Sequence, residues 1–206
     1  MKNILLIRHG ESEWNKLNLF TGFKNVELSE LGKEEANKAG QNFKNLGLRF
    51  DIVFTSELKR AQDTAKIILE NLEQWNQLNS ENKIIKNINL NERDYGDLTG
   101  LNKKETAEKF GDDQVHKWRR GYSDQPPNGE SLEDVVNRVK IYFDNEIMPA
   151  INKSENNNIL IAAHGNSLRA LLIVMNIYSS DNINSVELST GVPIHILYEN
   201  ETFSIK

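Results

Sequence analysis

Two histidines in this chain each close a short apolar run and stand directly before a glycine. One lies in Ile4-Leu5-Leu6-Ile7-Arg8-His9-Gly10, the other in Ile159-Leu160-Ile161-Ala162-Ala163-His164-Gly165. A neutral imidazole is a good nucleophile, and Arg8 beside His9 offers a planar fork of N–H donors to an anion. Gly10 lets the backbone turn sharply and approach a ligand closely. These are the parts needed to attack phosphorus and hold its oxygens. The plainer alternative is a strand-end histidine bonded to its own loop.

Further candidates fit the same chemistry. Arg60, in Ser56-Glu57-Leu58-Lys59-Arg60-Ala61, falls in the first turn of a helix that follows a strand, where the helix N-terminus itself favours anions. A solvent-facing arginine is the alternative. If the strands before His9 and His164 are neighbours, both imidazoles, Arg8 and Arg60 converge and can stabilise a phosphoryl group in transit. Glu92, in Asn91-Glu92-Arg93-Asp94-Tyr95-Gly96, can protonate a leaving alkoxide or deprotonate an attacking hydroxyl. That role requires a raised pKa, which burial near phosphate would supply. Otherwise it is a loop acid paired with Arg93. Lys103, Arg119 and Arg120 form either an exposed basic turn or a lid with a second anion site. His116 and His195 receive no role.

Rival chemistries lack their residues. The chain has no cysteine, which excludes disulfides, thiolate catalysis and Cys-ligated zinc. It has no His-x-x-x-His pair, no His-Glu-x-x-His, no P-loop motif and no G-x-G-x-x-G. The formal net charge of −5 argues against binding nucleic acid through a basic surface, so any anion site must come from a local cluster of cations. No apolar run approaches the roughly 20 residues of a membrane span, and the four apolar residues before Arg8 are too few for a signal peptide. The expected compartment is the cytoplasm.

These residues need a scaffold. Residues 3–8, 50–55, 84–90 and 158–163 read as strands, and the continuous apolar runs suit buried parallel pairing. Ser29 can cap a helix carrying Ala36, Ala39, Phe43 and Leu46, ended by Gly47. Ser56 can cap a second carrying Leu58, Ala61, Ala65, Ile68 and Leu72. Ser131-Leu132-Glu133-Asp134 resembles a capping box ahead of Val135, Val139 and Ile147. Helices are also expected at 102–110 and 167–176, with a loop over 123–129 and a terminal strand pair at 192–198 and 202–205. The expected fold is α/β, three-layered, with a mainly parallel central sheet and helices on both faces. Residues 1–206 are expected to form a single domain.

The motifs taken together resemble the cofactor-dependent phosphoglycerate mutases of the histidine phosphatase superfamily, over nearly the whole chain. The matching segments are Arg8–Asn15, Phe20-Thr21-Gly22, Leu58-Lys59-Arg60-Ala61, Asn91–Gly96, Gly100-Leu101-Asn102-Lys103, Trp118-Arg119-Arg120-Gly121, Ala163–Arg169 and Thr190-Gly191-Val192-Pro193. Arg-His-Gly alone indicates the superfamily. Asn91–Lys103 with Trp118–Gly121 is what is similar to the mutases.

The resemblance implies that His9 becomes phosphohistidine, that Arg8, Arg60 and His164 hold the transferring group, and that Glu92 is the general acid and base. It implies a substrate-binding set of Arg8, His9, Gly10, Glu11, Ser12, Glu13, Trp14, Asn15, Thr21, Gly22, Arg60, Glu92, Arg93, Asp94, Tyr95, Lys103, Arg119, Arg120, Gly165 and Asn166. The implied reaction interconverts 3-phosphoglycerate and 2-phosphoglycerate, is primed by 2,3-bisphosphoglycerate and needs no metal. The partners implied are a small phosphorylated substrate and, if the chain assembles, a second copy in a dimer.

Two departures from the family pattern stand out. Pro126-Pro127 is followed almost at once by Glu130-Ser131-Leu132, and the chain stops at Lys206, just past its last expected strand. A phosphomonoesterase or bisphosphoglycerate phosphatase on the same fold is the alternative they raise.

Overall fold

A computed structural model describes residues 1–206. In chain order the elements are β1 (Lys2–Arg8), α1 (Glu13–Lys16), α2 (Glu30–Asn45), β2 (Ile52–Thr55), α3 (Lys59–Asn71), α4 (Trp75–Ser80), β3 (Ile84–Lys86), α5 (Lys103–Phe110), α6 (Asp112–Arg120), α7 (Leu132–Tyr142), α8 (Met148–Asn152), β4 (Asn158–Ala163), α9 (Gly165–Val174), β5 (Pro193–Glu199) and β6 (Thr202–Ile205). Six strands form one sheet in the order β3-β2-β4-β1-β5-β6. The first four run parallel, and β5 and β6 add an antiparallel edge.

Both sheet faces are covered, which explains why the central strands are apolar at every position. Ile4 and Leu6 of β1 and Ile159, Ile161 and Ala163 of β4 pack with Leu132, Val135, Val139, Leu168 and Leu171 on one face. Leu5, Ile7, Leu160 and Ala162 point the other way, into Ala39, Phe43, Ala65, Ile68 and Leu69 of α2 and α3. No helix is long and apolar enough to cross a membrane.

Several local expectations need correction. β2 starts at Ile52, because the backbone N–H and C=O of Phe50 are taken by the Gln74 side chain. β3 ends at Lys86, where Asn87 caps a 3-10 turn over Ile88–Leu90. Ser56 does not cap α3: the cap position is Leu58, without a side-chain bond. Helices α4 and α6 carry too few apolar residues to show a periodic stripe, so neither is visible in the sequence. A five-residue π-helical stretch, Phe143–Ile147, follows α7 and shifts the phase that brings Ile147 back to the core.

The register explains why the two histidines meet. β1 and β4 are adjacent, with Arg8 opposite Ala163, and the His9 amide donates to the Ala163 carbonyl at 3.0 Å. The loop after β1 is then wedged against α2. A side chain on Gly10 would collide with the Gly32 carbonyl, and one on Gly32 with the Glu11 carbonyl. Glycine is required at both positions for this close approach.

Candidate active site

The carboxyl ends of β1 and β4, the start of α3 and the loop after β3 converge on a cleft of about 370 Å³. Its walls include Arg8, His9, Asn15, Thr21, Gly22, Arg60, Glu92, Tyr95, Lys103, Arg119, Arg120, Gly165 and Asn166. His164 lies beneath, fully buried, with its ring centroid 4.9 Å from that of His9.

His9 is 3% exposed. Its Nδ1 lies 2.6 Å from the Gly10 carbonyl. A carbonyl can only accept, so Nδ1 carries the ring proton and Nε2 keeps a free lone pair. Arg60 Nε–H approaches that lone pair at 3.3 Å. Burial first, then Arg60 and Arg8, push the His9 pKa well below its ordinary 6.5, against the opposing Gly10 bond. The imidazole is therefore neutral, with its unprotonated nitrogen turned toward Arg60.

Arg60 is 1% exposed, and two of its other N–H groups donate to the carbonyls of Gly22 and Lys24, both at 2.9 Å. Burial and then Arg8 lower it to about 10, against the pull of Glu92. Six cationic side chains line the cleft: Arg8, Arg60, Lys103, Arg119, Arg120 and Arg169. None is among the protein's ion pairs. Lys103 is lowered to about 8 by burial and then by Arg119 and Arg8. Arg60 and Arg169 are buried and the other four half-buried, and because an unpaired buried cation is costly, the electrostatics of the cleft favour an anion.

His164 Nε2 lies 2.8 Å from Ser56 Oγ, which also accepts from the Leu58 amide. This leaves Nδ1 as the ring nitrogen without a protein partner. Burial, then Arg60 and His9, hold its pKa well below 6.5. Because both imidazoles are neutral when folded and take up protons when unfolded below about pH 6.5, acid favours the unfolded chain. Tm should fall as pH drops below 6.5, and a Tm that rises on acidification to pH 5.5 would contradict this placement.

Glu92 supplies a carboxyl to this cluster. Its pKa is lowered rather than raised. Burial pushes it up, but the Arg93 amide at 2.8 Å, the charges of Arg60 and Arg8 and the Asn166 amide at 3.1 Å outweigh burial. Nor is Glu92 paired with the Arg93 guanidinium. That group lies under the Tyr95 ring and donates to the Arg119 carbonyl at 2.6 Å.

The remaining candidates divide. Arg119 and Arg120 sit in the last turn of α6, half-buried, rather than in an exposed turn. Ser12 caps α1 with Asn15. Glu11 accepts from Ser29 Oγ, Glu13 is exposed and Trp14 packs beside Gly100. Asp94 accepts from the Gly96 amide. Gly10, Glu11, Ser12, Glu13, Trp14, Arg93, Asp94 and His164 are absent from the cleft wall.

Sequence reasoning assigned no role to Arg169 or to Glu187–Thr190, all on the wall. Arg169 donates to the Val186 carbonyl and Arg8 to the Leu188 carbonyl, so two site arginines hold that segment. One turn beyond His164 on α9 was the signal for Arg169. The segment 186–190 has no periodicity to betray it. No set of three or more His, Asp or Glu side chains gathers in metal-ligand geometry.

Comparison with known proteins follows the same line. The profile of the Histidine phosphatase superfamily (branch 1) matches residues 4–206. The 2,3-bisphosphoglycerate-dependent phosphoglycerate mutase of Bartonella bacilliformis is 52% identical over 96% of this chain and 92% of its own. That of Parvibaculum lavamentivorans is 51% identical over 94% and 90%. Among solved structures, a mycobacterial glucosyl-3-phosphoglycerate phosphatase superposes with a TM-score of 0.83 at 20% identity, covering 100% of this chain and 98% of its own.

Proposed function

Since the chain belongs to branch 1 of the histidine phosphatase superfamily, we infer that it is a 2,3-bisphosphoglycerate-dependent phosphoglycerate mutase, interconverting 3-phosphoglycerate and 2-phosphoglycerate. Relatives at about half identity over nearly the full length bear that name. The observation that carries the chemistry is His9 Nε2, neutral and unprotonated, facing Arg60 in a cleft of unpaired cations.

The roles given to the side chains are those that the family resemblance implies. His9 Nε2 attacks phosphorus, the phosphorus–oxygen bond breaks, and Glu92 gives a proton to the departing oxygen. In the reverse sense the Glu92 carboxylate takes the proton of the attacking hydroxyl, and the phosphorus–nitrogen bond of phosphohistidine breaks. The low pKa of Glu92 suits the second step directly. In the first, the negative charge of the bound phosphate raises it. Arg8, Arg60 and His164 Nδ1 hold the equatorial oxygens as charge spreads over them. Lys103, Arg119, Arg120, Tyr95, Asn15, Thr21, Gly22, Gly165 and Asn166 hold the remainder of the substrate.

The unpaired cations and the partnerless Arg8 Nε and His164 Nδ1 fit a strongly anionic bisphosphate. When bound, 2,3-bisphosphoglycerate supplies the phosphoryl group that primes His9. No metal enters this scheme. The enzyme acts in glycolysis and gluconeogenesis, in the cytoplasm, as one domain per chain.

Coupling 2-phosphoglycerate formation to enolase, beside a measurement of released phosphate, tests the reading. Isomerisation should require 2,3-bisphosphoglycerate and outrun phosphate release by at least about tenfold. Phosphate release from 3-phosphoglycerate that exceeds isomerisation would make the protein a phosphomonoesterase.

A further inference from the structure

Glu92 sits on a stretch of chain without regular structure, between the 3-10 turns at Ile88–Leu90 and Gly96–Leu98. Proton transfer requires its carboxylate to be held to a fraction of an ångström. The Arg93 and Asn166 amides hold the carboxylate itself, and one side chain from a different layer holds the backbone that carries it. Arg138, on α7, donates to the Asn89 carbonyl at 2.7 Å, the Asn91 carbonyl at 3.1 Å and the Glu92 carbonyl at 3.0 Å. It also grips the Glu130 carboxylate with Nε at 2.9 Å and Nη2 at 3.0 Å. The same Glu130 accepts the Asp94 amide at 2.9 Å, and the Phe23 ring covers the guanidinium. The backbone is thus fixed before, at and after Glu92. Glu130 pairs with Arg138, and theirs is the one substantially buried ion pair of the molecule, at 16% and 23% side-chain exposure.

We propose that Arg138, braced by Glu130, is the positioning residue of the Glu92 acid–base group, touching no substrate and acting on the proton-transfer steps alone. The proposal rests on the role given to Glu92 above. A planar fork suits this task because its five N–H groups lie in one fixed plane. A lysine ammonium cannot reach three carbonyls and both carboxylate oxygens at once.

A double-mutant cycle tests it. Arg138→Met should lower kcat by about 10- to 100-fold, the scale of a misplacement near 1 Å, while KM changes less than about threefold because no substrate contact is lost. Arg138→Lys should restore the charge and the fold but not kcat. In the Glu92→Gln background, adding Arg138→Met should slow turnover by less than about twofold, since the group it positions is already gone. The same factor in both backgrounds, or a KM effect equal to the kcat effect, overturns the proposal. Should Arg138→Met not fold, as read by circular dichroism, Arg138→Lys and Glu130→Gln run the same cycle. A slow Glu92→Gln with additive Arg138 variants removes this proposal and leaves the Glu92 assignment standing. A Glu92→Gln variant with normal turnover removes both.

Discussion

Replacing His9 with alanine should abolish isomerisation and phosphate release together, a loss of at least roughly 10⁴-fold, because both routes pass through one nitrogen. No neighbour can substitute. His164 has Nε2 against Ser56, is fully buried and sits at the cap of α9, beneath the cleft wall. The substitution should also leave no acid-labile, base-stable phosphate on the protein after exposure to 2,3-bisphosphoglycerate. The fold should survive, because the imidazole gives up only two bonds, one to the Gly10 carbonyl and one from Arg60 Nε–H, while β1 keeps its ladders to β4 and β5. Residual phosphorylation of His9→Ala would assign the nucleophile to another residue.

The next largest effect is expected from Glu92→Gln, with turnover falling by at least about 10²-fold, the usual worth of a general acid–base group. Glutamine keeps the shape and can still accept from the Arg93 and Asn166 amides, so binding should change little. It can neither give nor take the proton. The loss should fall on kcat, and the pH dependence owed to this carboxyl should vanish. Removing the carboxylate also removes a negative charge that repels a phosphate in the cleft. The variant should therefore bind a phosphorylated ligand as tightly as the parent or more tightly, measured by calorimetry. Near-normal turnover would end the assignment.

Much of this was legible in the chain because its signals are local. A run such as Ile4–Ile7 is apolar at every position since a parallel strand covered on both faces has no wet side. Serines at 29 and 131 cap helices because a side-chain oxygen next to free amides satisfies them at once, and the structure has both. Ser56 shows where local reading fails. It has the composition of a cap, but its hydroxyl goes to His164, 108 residues away. Helix α6 escaped because Asp112–Arg120 buries only Val115 and so has no apolar stripe. The ionisation of Glu92 in the protein alone is not legible in the sequence for a related reason. Burial could be guessed from sequence, but the amides and guanidinium groups that outweigh it come from four separate segments.

By itself, then, the sequence determined the strands, most of the helices, the family and the types of reacting group, because each is written in adjacent residues or in short spacings. The tertiary structure decided which groups share one cleft, which nitrogen of His9 is free, which way Glu92 is shifted, and that Arg138 stands behind it. Those depend on distances between residues far apart in the chain, set by the pairing of β1 with β4 and the packing of α7 against α9.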